Sequence, residues 1–152
     1  MSSLKRAKHA VYDLKYHLVW TPKYRKKIFD DAEIREFVKE IFQEIADQYE
    51  LEIDTMEVME DHVHIFLEAP PRVSPSQIVQ MLKSISARET FKKFPALRKR
   101  LWNHEIWEDG YFVRSVGDKV TTEIIQRYIK YQHQEEQLKL ELWFDAPQLA
   151  VG

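Results

Sequence analysis

Between residues 10 and 135 the spacing of apolar side chains switches between two and 3.6 in an order that few folds accommodate. Residues 10–21, AVYDLKYHLVWT, alternate and are rich in β-branched and aromatic types, which predicts a strand. Pro22 and the basic run KYRKK (23–27) follow as a loop. From Asp30 to Tyr49, Ile34, Phe37, Val38, Ile41, Phe42, Ile45 and Ala46 recur at helical spacing, with Asp30 or Asp31 as the cap. Residues 51–59 and 62–69 form two further strands, joined tightly around Glu60 and Asp61 and closed by Pro70 and Pro71. Ser74 or Ser76 caps a second helix that buries Ile78, Met81, Leu82, Ile85 and Ala87 and ends before Pro95. EIW (105–107) and YFVRSV (111–116) flank Asp109-Gly110, a pair that predicts a small hairpin. Thr121 or Thr122 opens a third helix to about residue 135, and from Leu138 on the only feature is an apolar LELWF cluster. The order β-α-β-β-α-β, with a final helix, is that of an α+β fold. It is a ferredoxin-like or RRM-like antiparallel sheet with helices on one face plus a C-terminal helix.

With three glycines (110, 117 and 152), no Ser/Gly linker and no repeat, residues 1–152 are expected to form one domain with its own core. The absence of cysteine excludes disulfides and thiolate metal sites. The start, MSSLKRAKHAVYDLKYHLVW, lacks the apolar core and cleavage site of a secretory signal. No apolar stretch approaches the roughly 20 residues of a membrane helix. The expectation is a cytoplasmic protein with no membrane partner. A net charge of −2 decides little about nucleic acid, but the charges are clustered. KYRKK, FKK (91–93) and RKR (98–100) are basic, while 30–60 and 135–141 hold much of the acid. Such patches can bind phosphate despite a near-neutral total, although solvated faces carry the same runs.

Chemistry concentrates in MEDHVHIFLE (59–68). Side chains two apart on a strand share a face and sit roughly 6.5–7 Å apart along the chain. His62 and His64 then point one way, and Val63, Ile65 and Leu67 the other. Two neutral imidazoles so placed can close on one divalent ion, or can simply sit on a solvated face. In the last helix, TTEIIQRYIKYQHQ, Tyr128 and Gln132 are one turn apart, and Ile125 and Ile129 flank the same stripe. That face therefore docks on the body, where Gln132 can offer a carbonyl oxygen as a third, neutral ligand. Tyr131 lies well round the helix from Gln132. A tyrosine that only anchors the helix is the competing role for Tyr128.

The histidine pair in DHVHIF, followed by Y-x-x-x-Q on a helix, resembles the single-tyrosine HUH transposases of small insertion sequences (TnpA type). REP-associated tyrosine transposases are close relatives of these. The likeness continues through YHLVWTPKYRKKIF, TMEVMEDHVHIFLEAPP, LKSISAR, LW…IWEDGYFVRSVG and the closing helix, roughly residues 10–135. Residues 138–152 lie outside it. The resemblance implies a metal site of His62, His64 and Gln132 that takes Mg²⁺ or Mn²⁺. It also implies that Tyr128 is the nucleophile, which makes the last helix catalytic. The implied substrate is single-stranded DNA with subterminal hairpins at the element's ends. It would be cut through a 5′-phosphotyrosine with release of a 3′-OH. A homodimer is expected, because excision needs breaks at both ends and each chain offers one matching tyrosine. Family members also pair the histidines of one chain with the tyrosine helix of the other, with Gly117 either the pivot or simply a strand stop.

Lys23, Arg25, Lys26 and Lys27 could track DNA phosphates, with Lys83, Arg88, Lys92 and Lys93 as a second group. Tyr24, Phe91 and Trp107 are candidate stacking surfaces, with core packing the competing role for each. Three other functions fit parts of the pattern. A non-catalytic single-stranded nucleic-acid-binding module would share the RRM-like fold, although the aromatic RNP signature is missing. A metallohydrolase would use metal-bound water, and a domesticated relative would act on repeated extragenic palindromes.

Overall fold

The computed structural model describes residues 5–7, 10–23, 27–101, 105–115 and 122–145. Four strands form the central antiparallel sheet: β3 (Lys15–Trp20), β4 (Glu52–Val58), β5 (Val63–Glu68) and β6 (Phe112–Ser115). Their order across the sheet is β4-β5-β3-β6. Taken in chain order, that is second, third, first, fourth, the ferredoxin-like arrangement the sequence predicts.

Two helices cover one face. In α1 (Ala32–Gln48) the Asp31 side chain accepts from the Glu33 amide and so caps the first turn. In α2 (Pro75–Lys93), Ser74 and Gln77 form a reciprocal capping box with Pro75 at the first helical position. Ile34, Val38, Phe42 and Ile45 of α1 join Ile78, Val79 and Leu82 of α2. Both sets pack on Leu18 and Trp20 of β3 and on Val63, Ile65 and Leu67 of β5. A short helix, α3 (Leu97–Arg100), adds Leu97 to the same core. The alternate residues of these strands, among them His17, Val19, His64 and Phe66, therefore lie on the opposite face.

The structure departs from the sequence-based expectation in several places. Residues 10–21 are not one strand. β2 (Ala10–Tyr12) pairs with β1 (Lys5–Ala7) in a separate two-stranded sheet, and β3 pairs with β5 and β6. Alternation reports faces and not partners, so a change of partner within an alternating run leaves no trace in its pattern.

EIW and YFVRSV do not pair with each other. Trp107 bridges to Pro22, while Phe112 lies opposite Val19 and Ser115 opposite Tyr16. Both flanks thus run along β3 and its extension as one edge strand, interrupted by a bulge at Asp109-Gly110. Gly110 sits there at φ 90°, where a side chain would be strained.

The last helix, α4 (Thr122–Asp145), runs ten residues past the predicted end and takes in part of the segment from Leu138. Nothing between 122 and 145 is glycine or proline, and Glu, Gln and Leu are the commonest residues after Gln132, so helical propensity continues after the docking stripe ends.

Candidate active site

His64 stands in β5 directly opposite Val19 of β3 and Glu57 of β4. His62 is not within the strand, as its spacing suggested. β5 begins at Val63, and the His62 carbonyl accepts from the Met59 amide in the turn (2.8 Å). Its ring still reaches the open face, with Nε2 3.7 Å from the Glu57 carboxylate. On the other side, Nδ1 lies 2.8 Å from Asp61 Oδ1. A carboxylate only accepts, so Nδ1 carries a proton, and in the ring's neutral form the lone pair is on Nε2. Histidine ligands to metals are commonly oriented in this way.

His64 has a partner that the sequence did not reveal. His17 Nδ1 lies 3.2 Å from His64 Nε2, so one nitrogen donates and the other accepts. The His17 ring stacks on Phe66 with centroids 4.4 Å apart. Burial, and then the His17 ring, hold His64 below its usual range, against the pull of Glu57. Burial and Arg114 do the same for His17. Both rings are thus favoured neutral, the form that binds metals. The signal for His17 was present in YHLVW, where it shares the alternation of Val19, but the pairing depends on β3–β5 register.

α4 docks on this same face. Ile125 and Ile129 bury themselves against Val19, with Phe112 and Tyr128 packed alongside. Val19 is the cross-strand neighbour of both His64 and Phe112, so the docking point of α4 adjoins the histidines. Gln132 is only 6% exposed. Its Nε2 donates to Tyr128 Oη (2.9 Å) and to the Asp109 carbonyl (2.6 Å). The Asp109 carbonyl can only accept, which settles the orientation of the amide. With both N–H groups engaged there, the amide's oxygen is its remaining functional atom. Burial pushes the Tyr128 phenol up to about 12, with the Gln132 hydrogen bond pulling the other way. The resting phenol is therefore neutral. Tyr131 is 57% exposed, and no hydrogen bond joins it to Gln132 among the described residues.

The candidate DNA-contact residues are scattered. Arg25, Lys26 and Tyr24 lie outside the described residues, as does Gly117. Lys23 pairs with Glu108 (3.2 Å) and Glu105 (3.3 Å), and Lys27 is exposed in left-handed backbone (φ 47°). Lys83 donates to the Glu108 and Gly110 carbonyls, and burial lowers it to about 8. Arg88, Lys92 and Lys93 are exposed on α2, with Arg88 and Lys92 near Glu89.

Phe91 and Trp107 are core residues and cannot stack on bases. Phe91 is 5% exposed, and Trp107 packs between Phe29, Trp20 and Phe42 while its indole N–H donates to Ser86 Oγ (2.9 Å). Aromatic composition alone cannot distinguish a buried ring from a stacking platform.

Cations that the sequence did not single out share a groove with Tyr128. Arg114, Arg127 and Lys130, with Phe112 and Tyr131, line a groove beside Tyr128. The i, i+3, i+4 spacing of Arg127, Lys130 and Tyr131 was legible as one face of α4, but the groove they form with Arg114 and Phe112 of β6 was not.

Among the described residues, no group of three or more His, Cys, Asp or Glu side chains is placed to hold a metal ion. A metal centre at His62 and His64 would therefore draw its third protein ligand from another residue type, as the Gln132 amide oxygen could supply. Among the described residues, no helix is long and apolar enough to cross a membrane.

Residues 10–132 match the family of IS200-like transposases. The chain is 39% identical over 133 residues to the ISDra2 transposase TnpA of Deinococcus radiodurans, covering 88% of this chain and 94% of that protein. It is 34% identical over 147 residues to the transposase for insertion sequence element IS200 of Salmonella typhimurium, covering 97% and 95%. A crystal structure of a Deinococcus radiodurans R1 protein assigned as a transposase superimposes with a TM-score of 0.72 at 37% identity, covering 84% of this chain and 97% of that one. A match that spans most of the chain, together with relatives aligned over nearly their whole length, makes this chain a member of the IS200-like transposase family.

Proposed function

We propose that this transposase cuts and rejoins single-stranded DNA at insertion-sequence ends through a covalent bond between Tyr128 and a 5′-phosphate. The observation that supports this most directly is the Tyr128–Gln132 pair on the face of α4 that docks beside His64. The donor set fits a hard divalent ion such as Mg²⁺ or Mn²⁺. Asp61 leaves His62 Nε2 available, burial favours neutral His64, and the Gln132 amide is oriented by its two hydrogen bonds. When bound, such an ion would neutralise the nonbridging phosphate oxygens and favour the phenolate.

The chain's own part is positional. Gln132 donates to Tyr128 Oη, which leaves the phenol proton pointing away from the amide and free to depart. Tyr128 Oη attacks phosphorus, the P–O3′ bond breaks, and the 3′-oxygen leaves with the electron pair and takes up a proton. The phosphotyrosine retains the energy of the broken link, because a phenol is a better leaving group than an alkoxide. A second strand's 3′-OH then attacks, and Tyr128 is released. Arg114, Arg127 and Lys130, which line one groove with Tyr128, hold the strand's phosphates in this reading.

The test uses 3′-labelled single-stranded DNA carrying an element end, incubated with the protein and Mg²⁺ and run on a denaturing gel. A labelled protein–DNA adduct is expected. Cleavage without any adduct would favour a hydrolase, and binding without cleavage a non-catalytic module; either outcome overturns the proposal.

Excision needs cuts at both ends, and each chain offers one such tyrosine. The active species is therefore a homodimer, and light scattering should return twice the chain mass. A strictly monomeric protein that excises DNA would refute this.

A further inference from the structure

The bulge at the sheet edge makes contacts in two directions. The carbonyls of Glu108 and Gly110 both accept from Lys83 Nζ of α2, at 2.8 and 2.7 Å. The carbonyl between them, that of Asp109, accepts from Gln132 Nε2 of α4 at 2.6 Å. α2 and α4 pack on opposite faces of the sheet, so these three consecutive carbonyls tie the two helices together around its edge. Gly110 also sits close to the amide, since a Cβ added there would fall 3.2 Å from Gln132 Nε2, at a φ of 90° that side chains resist.

We propose that the Glu108–Gly110 bulge, tied down by Lys83, is the positioning element that aims the Gln132 amide and, through it, the Tyr128 phenol. Lys83 thus acts at a distance from the chemistry and is not a phosphate contact. Its side chain is directed into the fold, where burial lowers it to about 8 against the opposing pull of Asp109 and Glu108. Removing Nζ leaves two carbonyls without their donor and frees the peptide that carries the Asp109 carbonyl. The amide then loses one of its two anchors. The catalytic consequence rests on the reading of Tyr128 as nucleophile, but the structural consequence does not.

The experiment compares the full chain with Lys83→Met, Lys83→Arg and Gly110→Ala. It records the side-chain amide signals of ¹⁵N-glutamine-labelled protein, the affinity for single-stranded DNA and the rate of tyrosyl–DNA adduct formation. In Lys83→Met and Gly110→Ala the Gln132 amide signals are expected to move toward those of a free glutamine. The adduct rate should fall by about 100-fold, the scale of an ångström-sized misplacement, with DNA affinity unchanged. Lys83→Arg, which keeps a donor, should recover part of both. Unmoved Gln132 signals in both variants would overturn the proposal, and so would a loss of DNA affinity in Lys83→Met with those signals unmoved. If Lys83→Met does not fold, Gly110→Ala perturbs the amide from the other side of the turn and decides alone. Should the wild type form no adduct while the Gln132 signals still shift, the positioning role stands and the nucleophile assignment falls.

Discussion

Tyr128→Phe should eliminate the protein–DNA adduct while the protein still folds and binds DNA. The substitution removes one oxygen and keeps the ring that packs at 6.1 Å from Phe112. Its structural cost is the single hydrogen bond from Gln132, about 1 kcal/mol. The chemical cost is the attacking atom itself, so the rate should fall by roughly 10⁴-fold or more, as when nucleophiles are deleted in other enzymes. Tyr131→Phe is the matched control. That residue is largely exposed and lies about 100° round the helix from Gln132, so cleavage should survive. The readout is the labelled gel, with circular dichroism and a DNA-binding titration on each variant. An adduct from Tyr128→Phe, or its loss only in Tyr131→Phe, would move the nucleophile to another residue.

The double variant His62→Ala/His64→Ala should lose measurable Mn²⁺ binding by calorimetry, with or without DNA. His17→Phe offers a graded comparison. It keeps a ring to stack on Phe66 but removes the nitrogen that faces His64, so His64 loses the partner that orients it. Loss of such an outer partner typically weakens metal affinity by about 10–100-fold. The expected order of Mn²⁺ affinity is wild type, then His17→Phe, then the double variant. Unchanged Mn²⁺ affinity in the double variant would remove His62 and His64 from the metal site whatever its effect on cleavage.

Periodicity and local chemistry carried much of the fold. The helical spacing of Ile34 to Ala46, the Ser74 cap and the alternation of Val63, Ile65 and Leu67 place α1, α2 and β5 close to where the structure has them. These are local properties, because a side chain's face depends on the backbone repeat of its own element. For the same reason, a spacing of four residues is enough to place Tyr128 and Gln132 on one face of the last helix. The prolongation of α4 to Asp145 was legible in propensity, but without an apolar stripe to mark it.

What the sequence could not supply was partnership across the fold. The pairing of His17 with His64 depends on β3 lying beside β5 in one register, and a slip of one residue would turn both rings to the other face. The burial of Phe91 and Trp107 depends on what α1, α2 and the edge strand place around them. Lys83 looks like any surface cation in LKSISAR until the fold brings the 108–110 bulge over it. The sequence by itself determined the order of elements, the chemical groups on each and the faces that carry them. The tertiary structure alone decided which groups meet, because hydrogen bonds and ion pairs act over a few ångströms between residues that lie tens of positions apart along the chain.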